Sequence, residues 1–282
     1  MGLDVKYSKR DLELPRYRKE LQDNIENDLC NDNNVLAVFY GGSIGNQNTD
    51  LFSDIDIRVV VKEEVFEEYR QNKKLRAVNW GNVLFYEGSP ATNFIVAHYD
   101  CFIKVDSFYY QPSHIRPSVW LKNIKIVHDT NGFMSGIQSE SASLIYSPTS
   151  NEVEFWCTKF FAHFHEVYRR VQRGEIYYAL HCVDQMRLAI VSGWYMDAGV
   201  HPNTLGDWAN LEGERSKLNQ AQSELLESWD CGRSPDEIMG VAKSMIPEFR
   251  HIHSSLCEKV GINKDSKWLD NVFNQVLQEE SR

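Results

Sequence analysis

Over residues 16–29, "RYRKELQDNIENDL", the apolar residues Tyr17, Leu21, Ile25 and Leu29 recur every fourth position, which predicts a helix. The pattern then changes. "NVLAVFY" (34–40) is a continuous apolar run, the mark of a buried strand, and it ends abruptly at Gly41-Gly42-Ser43. A polar stretch leads into "DIDIRVVV" (54–61), a second strand, although two aspartates stand inside it. "EEVFEEYRQNKKL" (63–75) returns to helical spacing, with Val65, Phe66 and Tyr69 as its apolar stripe. "NVLFYE" (82–87), "NFIVAHY" (93–99) and "CFIKVDSFYY" (101–110) are rich in β-branched and aromatic residues and predict further strands. The last two abut at Tyr99-Asp100, the signature of a hairpin.

The pattern becomes wholly helical after "YSPTSNEVEFW" (146–156). Pro148 ends what precedes it, and Thr149 followed by Glu152 predicts a capping box. Long aromatic-rich helices follow over "EVEFWCTKFFAHFHEVYRRVQRG" and "EIYYALHCVDQMRLAIVSGWYMDAG", each closed by glycine. Further helices are expected over 215–229, 235–261 and 264–280. The fold class this predicts is α+β, in two domains. Residues 1–148 form a small mixed sheet with flanking helices, and residues 149–282 form a helical bundle, with the active cleft between them. No internal repeat or low-complexity tract interrupts this plan.

Charge narrows the partners. The net charge is −10, and neither half is basic: residues 1–150 carry 20 acids and 16 bases, leaving 20 and 14 for residues 151–282. That argues against a nucleic acid, whose binding rests on phosphate neutralisation. A small or cationic ligand suits the surface better. Six scattered cysteines without a C-x-x-C are read as reduced thiols of a cytoplasmic protein. The first residues lack the apolar core of a signal peptide, Lys6 stands where myristoylation requires Ser or Thr, and no stretch has the length of a membrane span.

The two aspartates raise the chemical question. Asp54 and Asp56 stand at i and i+2, so in a strand their carboxylates share one face. Two close, part-buried carboxylates repel, and a divalent cation resolves the conflict. Magnesium takes hard oxygen ligands, commonly one or two carboxylates together with substrate phosphates. Gly41, Gly42 and Ser43 complement this: glycine lets backbone N–H groups approach an anion, and Ser43 can open a short helix whose N-terminus favours phosphate. Two-metal phosphoryl transfer calls for a third acid. Asp106, again an acid inside an apolar strand, supplies it, and Lys104 on the same face is placed to touch a phosphate. Other polar residues read as surface or core. Glu154 and Glu166 are helix-surface acids, and the His163/His165 and His251/His253 pairs each point to different helix faces.

The sequence "YGGSIGN…SDIDIRVVV", then "IKVDSFYY", then "EFW" and "RGEIYYALHCVDQMR", resembles the polymerase-β-type nucleotidyltransferase superfamily. Within it, the similarity is to the streptomycin-type aminoglycoside 6-adenylyltransferases, over roughly residues 34–200. The resemblance implies ATP as the donor substrate, held by backbone N–H groups around Gly42 and Ser43. It further implies two Mg²⁺ ions on Asp54, Asp56 and Asp106, an aminoglycoside-like hydroxyl as acceptor, and antibiotic resistance as the consequence. A monomer or homodimer is expected. Two positions depart from the family's pattern: Ile44 follows Gly-Ser where a polar residue is common, and His181 stands where the streptomycin-type enzymes carry the acid expected to act as base. Asp184 lies one turn on, so Asp184 and His181 together are the candidates for that role. A different small acceptor, lincosamide-like or otherwise, and a non-catalytic nucleotide-binding protein that kept the fold are the alternatives.

Overall fold

The computed structural model describes residues 4–203, 206–263 and 266–277, and the chain divides at Leu144/Ile145 into two compact units. The first opens with α1 (Asp4–Leu29), longer at its start than the apolar spacing indicates and continuous through Pro15. Six strands follow: β1 (Val35–Tyr40), β2 (Ile55–Val61), β3 (Val83–Glu87), β4 (Phe94–Tyr99), β5 (Lys104–Tyr110) and β6 (Lys125–Asp129). Between them lie α2 (Gly42–Gly45), a single turn, and α3 (Phe66–Ala77), and α4 (Phe133–Ala142) closes the unit. The strands form one mixed sheet in the order β3-β4-β5-β2-β1-β6. Only β2 and β5 run parallel; the other neighbours are antiparallel.

Alternation along the strands sends their two sets of side chains to different surroundings. Ile55, Ile57, Val59 and Val61 join Leu14, Leu21, Ile25 and Leu29 of α1, with Tyr69, Ala77 and Trp80, in the larger core. The other face carries a smaller core of Ala37, Phe39, Val60, Ile115, Ile124 and Met134. It stops at Val60. Beyond that point the same face of β2 presents Arg58 and Asp56, half-buried, and no apolar layer.

The second unit is helical: α5 (Ser150–Gln172), α6 (Ile176–Asp197), α7 (Gln220–Ser228), α8 (Pro235–Ser244), α9 (Ile246–Val260) and α10 (Ser266–Leu277). The capping box at Thr149 forms as expected, with Thr149 Oγ1 accepting from the Glu152 amide and the Glu152 carboxylate accepting from the Thr149 amide. Phe160, Phe164 and Trp156 of α5 pack with Met186 and Ile190 of α6 and Phe249 and Leu256 of α9 in one core.

Some expectations fail in detail. The single helix over 235–261 is two helices, because Pro247 lacks the amide hydrogen a continuous helix needs and instead sits in the first turn of α9. The helix over 215–229 is shortened to α7, and the ends of the helix over 264–280 lie outside the described residues. Strand β6 and helix α4 are absent from the sequence-based plan.

Candidate active site

The Gly-Gly-Ser seam folds as a turn locked onto β2. The Gly41 amide donates to the Asp56 carbonyl at 3.0 Å, and α2 is closed by hydrogen bonds from the Gly45 amide to the Gly41 carbonyl (2.9 Å) and from the Asn46 amide to the Gly42 carbonyl (3.0 Å). Gly42 has φ +53°, and a Cβ built on it would lie 1.9 Å from Asp56 Oδ2. The turn therefore needs glycine twice over, for its backbone conformation and for the space its side chain would take. A Cβ on Gly41 would meet Arg58 Nη1 at 2.6 Å. The polar stretch after the turn is held from α1, where the buried Arg18 donates to the Ser53 carbonyl at 2.8 Å.

The parallel pairing of β2 and β5 assembles the acids. Asp56 is the register partner of Asp106, and Ile55 of Val105, which sets Asp54 alongside Lys104. Lys104 Nζ lies 2.8 Å from Asp54 Oδ2, 3.0 Å from Asp106 Oδ2 and 3.2 Å from Asp106 Oδ1. Arg58 Nη1 stands 3.7 Å from Asp56 Oδ1, with the guanidinium over the Phe108 ring at 4.9 Å. Three carboxylates and two cations thus share one patch of a single sheet face.

Their electrostatics follow from crowding and burial. Burial pushes the Asp56 carboxyl above the ordinary carboxylate range; Arg58 opposes this, while Asp54 and Asp106 add to it. Burial likewise raises Asp106, against the pull of Lys104. Burial disfavours the Lys104 ammonium, but its hydrogen bonds and attraction to Asp54 and Asp106 win and hold its pKa above the usual lysine value. Lys104 is thus held charged beside Asp106, whose own carboxyl burial raises.

The donor set suits a divalent ion and a phosphate chain. Three carboxylates supply hard oxygens, and the glycine turn leaves a surface without side chains. Ser43 Oγ and Arg58 Nη1, both buried, have no hydrogen-bond partner. No three acidic, histidine or cysteine side chains among the described residues stand close enough together to hold a metal ion as they are. Within this cluster the Lys104 nitrogen lies between Asp54 and Asp106.

Arg58 is the site residue that sequence reasoning missed. The signal was there: it follows Asp56 by two positions and so shares its face. Arg18 gave no such signal, because its contact spans 35 residues.

His181 and Asp184 both lie on α6, but no hydrogen bond joins them. His181 is exposed, with the Tyr178 ring 6.2 Å away. Asp184 Oδ2 accepts from Trp208 Nε1 at 3.3 Å, and Arg187 Nη1 lies 4.0 Å from its other oxygen. Asp184 lines an open groove of about 700 Å³, together with Trp208, Glu212, Glu227 and Asp230. His181 is not part of that lining. Glu166 is paired with Arg169 and Arg170, as a helix-surface acid should be.

A second groove, of about 480 Å³, lies in the sheet unit between α1 and α3. Two of its acids are already engaged: Asp28 accepts from Arg76 and Trp80, and Asp32 from Tyr69, with Arg76 at 2.9 Å. It belongs to the opposite face of the sheet from Asp56 and Asp106, and offers no free carboxylate cluster.

The family model for streptomycin adenylyltransferase matches residues 16–274, a span that contains every residue named in the carboxylate cluster, the turn and the α6 groove. The chain belongs to the streptomycin adenylyltransferase family. It is accordingly a nucleotidyltransferase. Among solved structures, an aminoglycoside 6-adenyltransferase from Bacillus subtilis is similar at 13% identity, covering 91% of this chain and 97% of that one, with a TM-score of 0.38. A nucleotidyltransferase-like protein from Exiguobacterium sibiricum 255-15 is similar at 13% identity, covering 94% and 81%, with a TM-score of 0.43. No curated protein sequence matches. No helix among the described residues is long and apolar enough to cross a membrane, and Cys30, Cys101, Cys157, Cys182 and Cys231 are free.

Proposed function

We propose that this member of the streptomycin adenylyltransferase family transfers AMP from ATP to a hydroxyl of a small cationic acceptor of the aminoglycoside class, as a cytoplasmic, Mg²⁺-dependent enzyme. The observation that carries it is the parallel pairing of β2 with β5. It sets Asp56 beside Asp106 and Asp54 beside Lys104, under a glycine turn too close to Asp56 for any side chain.

Each residue then has a task. Gly41 and Gly42 keep the surface above Asp56 bare, so that a phosphate chain can approach the backbone, and Gly41 caps the turn in which Ser43, expected to open it, lies one residue inside. Asp54, Asp56 and Asp106 would hold the two Mg²⁺ ions, which when bound neutralise the triphosphate and the charge that develops on the leaving group. Lys104 and Arg58 offer further positive charge to phosphate oxygens. The acceptor oxygen forms a bond to the α-phosphorus as the bond to the β-phosphate bridge breaks, and pyrophosphate leaves. The proton on the acceptor hydroxyl must go to a base. We assign Asp184 that role, with His181 one turn away as its neighbour on α6. Support for Asp184 comes from its place in a groove with three further acids and an indole, a lining suited to an amino sugar.

The test is pyrophosphate release from ATP with Mg²⁺ and a panel of aminoglycosides and lincosamides. Release that requires both the metal and an aminoglycoside is expected. Release driven only by lincosamides would replace the acceptor class, and release with no acceptor at all would exclude transfer. On the acceptor found, Asp184→Asn should lower kcat by about 10²–10⁴, and His181→Gln by less. Full turnover in Asp184→Asn at saturating acceptor removes Asp184 as base.

A further inference from the structure

We propose that Lys104 is an internal counter-ion of the carboxylate cluster, which keeps the nucleotide-free protein from binding divalent metal tightly and passes to the triphosphate when metal and nucleotide enter together. This rests on the nucleotidyl-transfer reading and specifies how the site is regulated.

Three observations support it. The ammonium lies 2.8 Å from Asp54 and 3.0 Å from Asp106, bridging an acid just before β2 and one on β5, where a shared cation would otherwise join them. The same nitrogen reaches both oxygens of Asp106, at 3.2 Å from Oδ1 and 3.0 Å from Oδ2. The charges nearly cancel: three carboxylates against Lys104 and Arg58 leave one net negative charge, a poor well for a hard divalent ion that must lose water to bind.

The two cations are held differently. Arg58 is fixed between the Phe108 ring and Gly41, its Nη1 buried. The Lys104 side chain is 38% exposed and ends a flexible four-carbon stem, so it can leave the carboxylates without disturbing the sheet. A triphosphate is the partner able to draw it away. It is more highly charged than either carboxylate, and an ammonium binds phosphate well as a point charge. The carboxylates it leaves are then free for metal, so metal and nucleotide each favour the other's entry, and the coupling is reciprocal.

Mn²⁺ binding to the full-length protein tests this by calorimetry, with and without the non-hydrolysable α,β-methylene analogue of ATP. Wild-type protein should bind Mn²⁺ weakly alone and much more tightly with the analogue. Lys104→Met should raise Mn²⁺ affinity in the absence of nucleotide by on the order of tenfold, because a unit positive charge a few ångströms from the ion is removed, and should weaken analogue binding. Lys104→Arg keeps the charge and should stay near wild type. Lys104→Met protein that melts cooperatively yet binds Mn²⁺ no better than wild type overturns the proposal. So does wild-type protein that binds Mn²⁺ equally well with and without the analogue, a result that needs no variant. Wild-type protein that binds the analogue with no metal in any combination overturns the metal-dependent transfer reading, and this inference with it.

Discussion

Asp56→Asn is expected to lower nucleotidyl transfer by at least about 10²–10³, the cost of one lost charge-stabilising group, and by more if the metal itself is lost. Asp54→Asn should behave alike. The fold should survive, because Asp56 helps no core. Stability at neutral pH should in fact rise. Burial, with Asp54 and Asp106, holds the folded pKa of Asp56 above its ordinary value. A raised carboxyl pKa gives a stabilising contribution that is fully present below the unfolded pKa and is lost as pH rises through the folded one. At pH 7 the free protein has therefore lost that contribution, and the neutral amide avoids the loss. Melting temperature should be higher for Asp56→Asn at pH 7, with the difference shrinking as the buffer is taken into the acid range. A variant that melts lower than wild type at neutral pH, or keeps near wild-type turnover, contradicts the role given to Asp56.

Gly42→Val should remove ATP binding. The new Cβ would fall 1.9 Å from Asp56 Oδ2, and φ +53° is a conformation a β-branched residue resists. Either the carboxylate or the turn must move, and both belong to the proposed nucleotide site. The strain is local, of order 1–3 kcal/mol, so the sheet should still form. Calorimetry with ATP and Mg²⁺ should show no measurable binding, and turnover should fall with it. An unchanged affinity for ATP would mean that phosphate does not approach this turn.

Much of this was legible because the sequence breaks its own pattern at the site. An acid inside an apolar strand has few structural uses, and Asp54, Asp56 and Asp106 each stand in or beside such a run. The glycine pair at the end of β1 announced a backbone under steric constraint, and φ +53° at Gly42 is that constraint. Local periodicity could not reveal which strands pair. The β2–β5 contact joins residues 50 positions apart in sequence, so the meeting of Asp56 with Asp106, and of Lys104 with Asp54, appears only in the fold. Lys104 could be placed on the right face from its spacing to Asp106, but its actual partners are carboxylates. Strand β6 was missed because "KIVHD" is short, with a charge at each end and side chains half-exposed. The division of 235–261 is marked in the sequence by Pro247 alone, because the apolar spacing continues through it. Asp184 and His181 share a face of α6 by spacing, yet their environments differ, and only the fold gives Asp184 to Trp208 and an acidic groove.

Transfer itself is the most direct test: ATP labelled on the α-phosphate, Mg²⁺ and an aminoglycoside are incubated with wild-type and Asp56→Asn protein, and the acceptor is recovered and its mass measured. The result predicted is an acceptor heavier by one AMP, carrying the label, formed by wild type and not by Asp56→Asn. Unmodified acceptor with wild-type protein across the aminoglycosides, or equal labelling by Asp56→Asn, would contradict it.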